Sequence, residues 1–385
     1  MQKSILFVSP VFVPYKWGGW VTQVALDYAK WLSKLWYNVF VITTLFDWLK
    51  KKENIDWINI LRFWSYSKFL LKFGFYNPRG MYKWLSKNIK NFDLVFVHDI
   101  YSLYDSIVSI VCKKFNKPYF IMPHGMGALS KQKDKVLAKK IFVSLFAAHA
   151  SKNANRVIFC SENEKNDYEI PYMKWEVITN WIDQKMWTEN LSRINDEDVL
   201  KFRKKYSLSD KKIIFSMWRL VNVKRFDKTI KFLKNFLKED RNYILLLVWP
   251  DCWEKWNLEA IVKDEGLYSS VKIIEWLFWI EKTILFKIWK LFVLSSDLEG
   301  FPIVICEAIS SKIPCLLSSW CNVSASKWFV EIFNTEWEFQ EKLKLLLENN
   351  SNINQEYLKS FDLNNTIFKL DKIITQVIEE YNKNS

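Results

Sequence analysis

Apolar and polar positions follow two alternating periodicities along the chain. Short apolar runs such as Ile5–Val8 and Leu94–His98 predict buried strands, because a strand that is covered on both faces carries continuous apolar residues. Between such runs, apolar residues recur every three to four positions, as in Thr22–Leu35 and Asp105–Phe115, and predict amphipathic helices. Strands that alternate with helices form parallel sheets, so the sequence predicts an α/β protein.

Length and charge predict two unlike halves. A single core stops growing well below 385 residues, so we predict one domain at residues 1–180, a second at residues 181–362 and an amphipathic helix at residues 363–385. Residues 1–179 hold 26 Lys and Arg against 13 Asp and Glu, whereas residues 180–385 hold 30 against 29. The basic first half indicates an anionic partner, namely a phospholipid, a lipid diphosphate or a nucleic acid.

One stretch of the basic half interleaves bases with aromatic residues. It runs from Ser67 to Tyr76 and continues through Arg79, Lys83, Trp84, Lys87 and Lys90. This composition suits a membrane surface with anionic lipids, and the alternative is a solvated amphipathic helix over the core. No apolar run is long enough to predict a membrane-spanning helix. Six cysteines without a Cys-x-x-Cys pair favour reduced thiols, so we expect a cytoplasmic protein, peripheral at the inner face of the cell membrane.

Glycine and tryptophan occur in unusual numbers. The chain has 8 glycines and 21 tryptophans, whereas average usage would give about 27 glycines. Trp36 lies between a predicted helix and a strand, where a left-handed glycine commonly ends the helix, and Trp249 lies in a turn before Pro250. A codon such as UGA, read as glycine in the source but translated as tryptophan, would give this pattern. The alternative is a truly tryptophan-rich protein.

Two candidate anion-binding groups follow predicted strands, where ligands of parallel sheets bind. Gly18 and Gly19 precede a helix, so their backbone amides could bind an anion, although a simple tight turn is the alternative. Arg219 and Lys224 follow a strand of the second half. Two cations there suit a diphosphate, although a solvated basic loop would have the same composition.

The segment from Asp297 to Ala308 carries the strongest signal. It follows an apolar strand, leads into a helix and holds Glu299 and Glu307 on either side of a Gly-Phe-Pro turn. The free amides at the helix start can bind an anion. Glu307 can accept hydrogen bonds from ribose hydroxyls, and Glu299 is placed to face a sugar. The alternative is that both are helix-capping acids.

Two of the three histidines end predicted strands. We expect His98 and His124 on the same edge of one sheet, where His124 could hydrogen-bond a ligand or carry a proton. His149 lies in a predicted helix and is interpreted as structural.

Together and in this order, the motifs resemble those of glycosyltransferase family 4, over nearly the whole chain. They are Gly18-Gly19, His124-Gly125, Asn180-Trp181, Trp218-Arg219-Leu220 with Lys224, Glu299-Gly300-Phe301-Pro302 with Glu307, and Trp320-Cys321-Asn322. Trp181, Trp218 and Trp320 stand where the family has glycine, which supports the recoding hypothesis. Lys312 replaces another family glycine, and recoding does not explain it.

The resemblance implies a GT-B fold, with two Rossmann-like domains, a cleft between them and a C-terminal helix that packs back toward the N-terminal domain. It implies a retaining glycosyltransferase of the hexosyltransferase type that acts in cell-envelope polysaccharide or glycoconjugate synthesis. The C-terminal domain would bind a UDP- or GDP-linked sugar, and the N-terminal domain would bind a glycan or lipid-linked acceptor. No metal or other cofactor is expected.

The resemblance also implies roles for single residues. Arg219 and Lys224 would neutralise the donor diphosphate, Glu307 would bind the ribose, and Glu299 and His124 would contact the donor sugar. The predicted catalytic residues are therefore Glu299, His124, Arg219 and Lys224. The predicted donor-binding residues are Gly18, Gly19, Arg219, Lys224, Glu299, Gly300, Phe301, Pro302, Ile303 and Glu307.

Three other functions are weighed against this one. A sugar-nucleotide epimerase with the same fold would lack the arrangement of Arg219 and Lys224. A non-catalytic binding protein is disfavoured by the intact Glu299 and Glu307. Nucleic-acid binding rests on charge alone, and because no nucleic-acid module is recognisable, no nucleic-acid partner is expected.

Overall fold

Two α/β units make up the chain. One comprises residues 1–179 with residues 364–385, and the other comprises residues 180–363. In a computed structural model, the described residues are 2–15, 19–72, 75–128, 141–217, 222–249, 254–275, 277, 279–348 and 353–383. The predicted site residues Gly18 and Arg219, together with Trp218, lie outside the described residues.

The first unit is built on an eight-stranded sheet in the order β3-β4-β2-β1-β5-β6-β7-β8. Every neighbouring pair is parallel except β3 with β4. The central strands are apolar throughout and buried, which is why short apolar runs revealed them. The strands are β1 Ser4–Val8, β2 Asn38–Thr44, β3 Lys52–Ile55, β4 Ile58–Phe63, β5 Leu94–Val97, β6 Tyr119–Ile121, β7 Arg156–Phe159 and β8 Trp175–Val177.

Helices cover both faces of this sheet, as crossovers between parallel strands require. They are α1 Gly19–Lys34, α2 Lys68–Lys72, α3 Met81–Asn88, α4 Leu103–Lys114, α5 Ala148–Asn153 and α6 Glu162–Asp167, with a π-helical segment at Val143–Ala147. The C-terminal helix also packs on this unit, as predicted: Tyr37 Oη lies 2.6 Å from Asp371 Oδ1, and Lys3 Nζ lies 3.1 Å from Thr375 Oγ1.

The second unit is built on a six-stranded, fully parallel sheet in the order β11-β10-β9-β12-β13-β14. This is the Rossmann order, in which the direction of strand addition reverses between the first and fourth strands, here β9 and β12. The strands are β9 Lys212–Met217, β10 Tyr243–Trp249, β11 Val271–Glu275, β12 Trp289–Leu294, β13 Cys315–Ser318 and β14 Val330–Phe333. Its helices are α7 Gln184–Arg193, α8 Asp196–Lys205, α9 Phe226–Glu239, α10 Lys255–Asp264, α11 Trp279–Ile288, α12 Ile303–Ser310, α13 Glu336–Glu348 and α14 Gln355–Lys359. The C-terminal helix, α15 Leu363–Lys383, belongs to the first unit from residue 364 onward. No described helix combines the length and the apolar character that crossing a bilayer requires.

The hairpin of β3 and β4 was not predicted from the sequence. Its two-residue turn consists of Asp56 and Trp57, with φ of 48° and 69°. A turn with positive φ at both central residues is type I′, for which Asp-Gly is a preferred pair. Because tryptophan occupies the glycine position, the usual sequence signal of this turn is missing.

Two more tryptophans adopt the left-handed conformation that favours glycine. Trp36 (φ 67°) follows α1 in a Schellman motif, with hydrogen bonds from Tyr37 N to Leu32 O and from Trp36 N to Ser33 O. Trp328 (φ 67°) is the third residue of a four-residue turn, which Phe329 N closes by donating a hydrogen bond to Ser326 O.

Other tryptophans give a mixed result for the recoding hypothesis. Trp289 is overpacked, since its ring centroid lies 3.1 Å from that of Phe215, whereas aromatic pairs usually keep about 4.5–7 Å between centroids. Trp181 and Trp320 are described and are not among the residues with positive φ, so backbone geometry alone does not call for glycine there.

Candidate functional site

Lys224 and Glu299 meet where the strand order of the second sheet reverses. Lys224 ends a short 3₁₀ turn, Asn222–Lys224, that follows β9, and Glu299 lies in the loop after β12. Because β9 and β12 are parallel neighbours, both loops leave the same edge of the sheet. Lys224 Nζ lies 2.7 Å from Glu299 Oε2, and the two side chains are only 8% and 2% exposed. A cation and an acid that were predicted as parts of separate motifs thus form one buried pair.

Nearby polar groups hold Glu299 in a fixed position. Ser296 Oγ donates to Glu299 Oε1 at 2.6 Å, and Lys224 Nζ also lies 3.4 Å from the carbonyl oxygen of Leu298. The side chain of Asn322, part of the Trp-Cys-Asn motif, donates to the carbonyl oxygens of Glu299 at 2.6 Å and Gly300 at 3.0 Å. A buried ion pair needs further hydrogen bonds to offset its desolvation, and Ser296 supplies one to the second carboxylate oxygen, while Asn322 holds the backbone of the loop. Sequence reasoning missed Ser296.

A second, more exposed ionic cluster ties the two loops together. Arg225 is left-handed (φ 51°) and pairs with both oxygens of Asp227, while its Nη1 donates to Asp297 Oδ2 at 2.8 Å. Lys228 Nζ donates to Asp297 Oδ1 at 2.7 Å, and Asp297 N donates to Val223 O at 2.8 Å. Partial burial opposes ionisation, but the bonds from Lys228 and Arg225 outweigh it and lower the pKa of Asp297 below its usual range. Asp297 therefore stays ionised and joins the loop of Lys224 to that of Glu299.

The turn between the two glutamates shapes the start of α12. The carbonyl oxygen of Phe301, a buried residue, accepts a hydrogen bond from Asn180 Nδ2 at 2.7 Å. Pro302 caps α12 without a side-chain hydrogen bond, and Ile303 is the first helical residue. The positive end of α12 thus has no side-chain acceptor at its cap, an arrangement that favours a negative ligand group.

Glu307 lies on the next turn of α12 and is also buried. Its Oε1 lies 2.5 Å from Nζ of Lys282 on α11. Its Oε2 is buried and has no hydrogen-bond partner among the described residues. Lys282 had not been identified as a site residue from the sequence.

His98 and His124 lie at one edge of the first unit's sheet, after β5 and β6. His98 Nδ1 and His124 Nε2 are 3.1 Å apart, and both rings are buried. Burial lowers the pKa of His124 to about 3, and burial and the neighbouring ring lower the pKa of His98 well below its usual value. Both rings are therefore neutral at pH 7, so His124 is suited to hydrogen bonding rather than to carrying a positive charge.

A buried acid fixes the loop of His124. Gly125 N donates to Glu164 Oε1 at 2.5 Å, and Cys160 N donates to Glu164 Oε2 at 2.5 Å. Burial, partly offset by these bonds, raises the pKa of Glu164 to about 7. Gly19, the described residue of the predicted Gly-Gly loop, is the first residue of α1, three positions earlier than predicted.

Two protein-family models match this chain. Residues 17–185 match the model described as Glycosyltransferase Family 4, and residues 198–358 match the model described as Glycosyl transferases group 1. The chain belongs to glycosyltransferase family 4. It is therefore a glycosyltransferase, and the family that the motifs indicated is confirmed.

Solved structures match over nearly the full length. HepE from Anabaena, solved with UDP-glucose, is 17% identical with a TM-score of 0.71, and the match covers 98% of this chain and 99% of that one. Sucrose-phosphate synthase from Thermosynechococcus elongatus is 15% identical with a TM-score of 0.73, with 98% and 100% covered. WaaG, described as a glycosyltransferase of lipopolysaccharide biosynthesis, is 16% identical with a TM-score of 0.62, with 96% and 99% covered. No curated protein sequence matches the chain. At these identities the likeness concerns the fold, and the predicted GT-B class is confirmed.

Proposed function

We propose that this glycosyltransferase is a retaining hexosyltransferase whose donor is a nucleotide-diphosphate sugar, UDP- or GDP-linked. The observation that carries the proposal is the buried pair of Lys224 and Glu299 at the strand-order reversal, beside the open positive end of α12. Ligands of such sheets bind at this position. The complex of HepE with UDP-glucose supports a nucleotide-sugar donor of this kind.

In the proposed reaction, the bond between the anomeric carbon and the diphosphate oxygen breaks, and an acceptor hydroxyl bonds to the same face of the sugar. The leaving phosphate takes the hydroxyl proton. Lys224, with Arg219, neutralises the charge that develops on the diphosphate, and Glu299 and neutral His124 orient the sugar. Catalysis then rests on positioning and charge stabilisation. The Asp-x-Asp triplet of the chain, Asp196-Glu197-Asp198, lies in the first turn of α8, where Asp198 forms a capping box with Asn195. Because its position is that of a helix cap, we propose that no metal is required.

A panel of UDP- and GDP-linked sugars tests this proposal. We expect one donor to release its nucleoside diphosphate, slowly with water and faster with a glycan or lipid-linked acceptor. NMR of the product should show the anomeric configuration of the donor. Binding without turnover would favour the non-catalytic scaffold, and an altered but untransferred donor sugar would favour the epimerase. Failure of every donor to bind would contradict the proposal.

We further propose that the first unit binds an anionic membrane that carries the acceptor. Phe69 in the predicted stretch and Tyr66 directly before it are 67% and 69% exposed, but Trp84 is half-buried and packs on Phe40 at the core. A second apolar patch, around Phe142, contacts this stretch. The rings of Phe75 and Phe142 meet edge to face, with 5.8 Å between their centroids. That patch presents the exposed side chains Ile141 and Leu145, directly after a segment, 131–140, with five lysines. Exposed apolar side chains that follow a lysine-rich segment in the sequence suit anionic lipid. Cell-envelope glycan synthesis at the inner face of the membrane is part of this proposal, and the role of WaaG in lipopolysaccharide synthesis supports it.

Vesicle flotation tests the membrane surface. We expect binding to vesicles that contain phosphatidylglycerol, weaker binding at high salt and little binding to pure phosphatidylcholine. Burial of an exposed leucine is worth roughly 1.5–3 kcal/mol, so Leu145→Asn should lower partitioning about tenfold or more. Leu200→Asn is the matched control, since Leu200 in the second unit is 66% exposed against 64% for Leu145. Absence of binding to anionic vesicles, or an equal loss in both variants, would rule this surface out.

A further inference from the structure

The two oxygens of Glu307 have unlike surroundings. Oε1 is bound by Lys282 Nζ at 2.5 Å, whereas Oε2 is buried without a donor among the described residues. Leaving a buried acceptor unsatisfied costs about 1–3 kcal/mol, more when it is charged, so such atoms usually have a partner in the functional state. The missing partner must be a hydrogen-bond donor, because an ionised carboxylate only accepts.

Lys282 determines which oxygen is available. It lies on α11, 25 residues before Glu307, and its side chain is 23% exposed, so it reaches the buried carboxylate from the partly open side. The ring centroid of Phe286, on the same helix, lies 5.8 Å from Lys282 Nζ. With one oxygen held by this charge-assisted bond, the carboxylate cannot rotate freely, and the second oxygen keeps one direction.

We propose that Lys282 is a positioning residue for the nucleotide: it orients Glu307 so that Oε2 accepts a hydrogen bond from a ribose hydroxyl of the donor. The inference rests on the proposed function for its ligand, a nucleoside diphosphate. A role for Glu307 at the ribose follows from the family resemblance, whereas the dependence of that role on Lys282 follows from the ion pair. Lys282 touches no reacting atom.

The test compares how strongly wild-type and variant protein bind nucleotides with and without the ribose hydroxyls, in the manner of a double-mutant cycle. The probes are UDP and GDP, each beside its 2′,3′-dideoxy analogue, with dissociation constants measured by calorimetry. Hydrogen bonds to charged groups imply that wild-type protein prefers the hydroxylated nucleotide about 10–100-fold. We expect Lys282→Met to weaken binding of that nucleotide by most of this factor and to leave the dideoxy analogue nearly unaffected, so that the preference disappears. Lys282→Arg keeps the cation and should keep the preference.

Lys287→Met is the matched control. Lys287 lies on the same helix and its Nζ donates to the carbonyl oxygen of Ile194, away from Glu307. This variant should keep the full preference for the ribose hydroxyls. If Lys282→Met weakened the binding of the hydroxylated and the dideoxy nucleotide equally, the role of Lys282 would be merely structural and the inference would be overturned. A preference that stays unchanged in this variant would overturn it as well. If Lys282→Met does not fold, loss of the preference in Lys282→Arg with an intact Lys287→Met would overturn it too. Failure of wild-type protein to bind either UDP or GDP would instead contradict the proposed function.

Discussion

Replacing Lys224 with methionine is expected to lower the rate of sugar transfer by about 10²–10³-fold, the usual cost of removing one preorganised group that stabilises transition-state charge. Methionine keeps the length and the apolar stem of lysine but cannot neutralise a leaving diphosphate. The measurement is kcat at a saturating concentration of the nucleotide sugar. Lys234→Met is the control, because Lys234 lies on the adjacent helix α9 and forms an ion pair with Glu265 away from Glu299; its kcat should stay near that of wild type.

Loss of folding must be separated from loss of chemistry in this variant. Lys224→Met leaves the buried carboxylate of Glu299 without its cation, and breaking such a pair typically costs about 3–5 kcal/mol. The double variant Lys224→Met with Glu299→Gln removes the unpaired charge, so its free energy of unfolding should recover most of that loss. Its transfer rate should not recover, because the cation is still missing. Recovery of activity in the double variant would show that the pair has only a structural role.

The sequence predicted those parts of the fold that rest on local patterns. Continuous apolar runs identified the central strands, because those strands are covered on both faces and contain little else. The hairpin of β3 and β4 was not predicted, for the opposite reason. Its first strand, Lys52–Ile55, is mostly polar and lies at the sheet edge, and its turn lacks the expected glycine.

Some features of the candidate site could likewise be predicted from the sequence, and others could not. Lys224 and Glu299 could be brought together from the sequence because each follows a buried strand, and parallel strands end at a common edge. The pairing of Asp297 with Arg225 was not predicted, because only the packed fold shows which side chains of the two loops meet. Lys282 was not identified, since it lies on a different helix from Glu307 and no sequence pattern links the two. The same holds for His98 and His124: sequence placed both at strand ends, but their mutual contact and the burial that keeps them neutral depend on the packed fold.

Replacing Trp36, Trp57 and Trp328 with glycine is expected to stabilise the protein. A left-handed residue with a side chain costs roughly 1–2 kcal/mol relative to glycine, which adopts this conformation freely. Trp36 and Trp57 are 82% and 90% exposed, so little buried surface is lost when their rings are removed. Because the three sites lie in separate turns, their effects should add, to about 3–6 kcal/mol in the triple variant.

Urea unfolding followed by circular dichroism measures this effect. The control is Trp337→Gly, because Trp337 is similarly exposed at 72% but lies in α13. There glycine should destabilise by roughly 0.5–1 kcal/mol, the cost of its backbone entropy in a helix. If Trp337→Gly raised the free energy of unfolding as much as Trp57→Gly does, the stabilisation would come from removing an exposed tryptophan ring rather than from relieving backbone strain.

The coding sequence tests the origin of these tryptophans independently of stability. The recoding hypothesis predicts UGA at codons 36, 57 and 328, where the left-handed backbone favours glycine most clearly. UGG at these codons would contradict recoding, and the strained turns would then belong to the natural protein. UGA would mean that protein for the nucleotide-sugar assays should carry glycine there. The close approach of Trp289 to Phe215 shows that the excess rings also reach the core of the second unit.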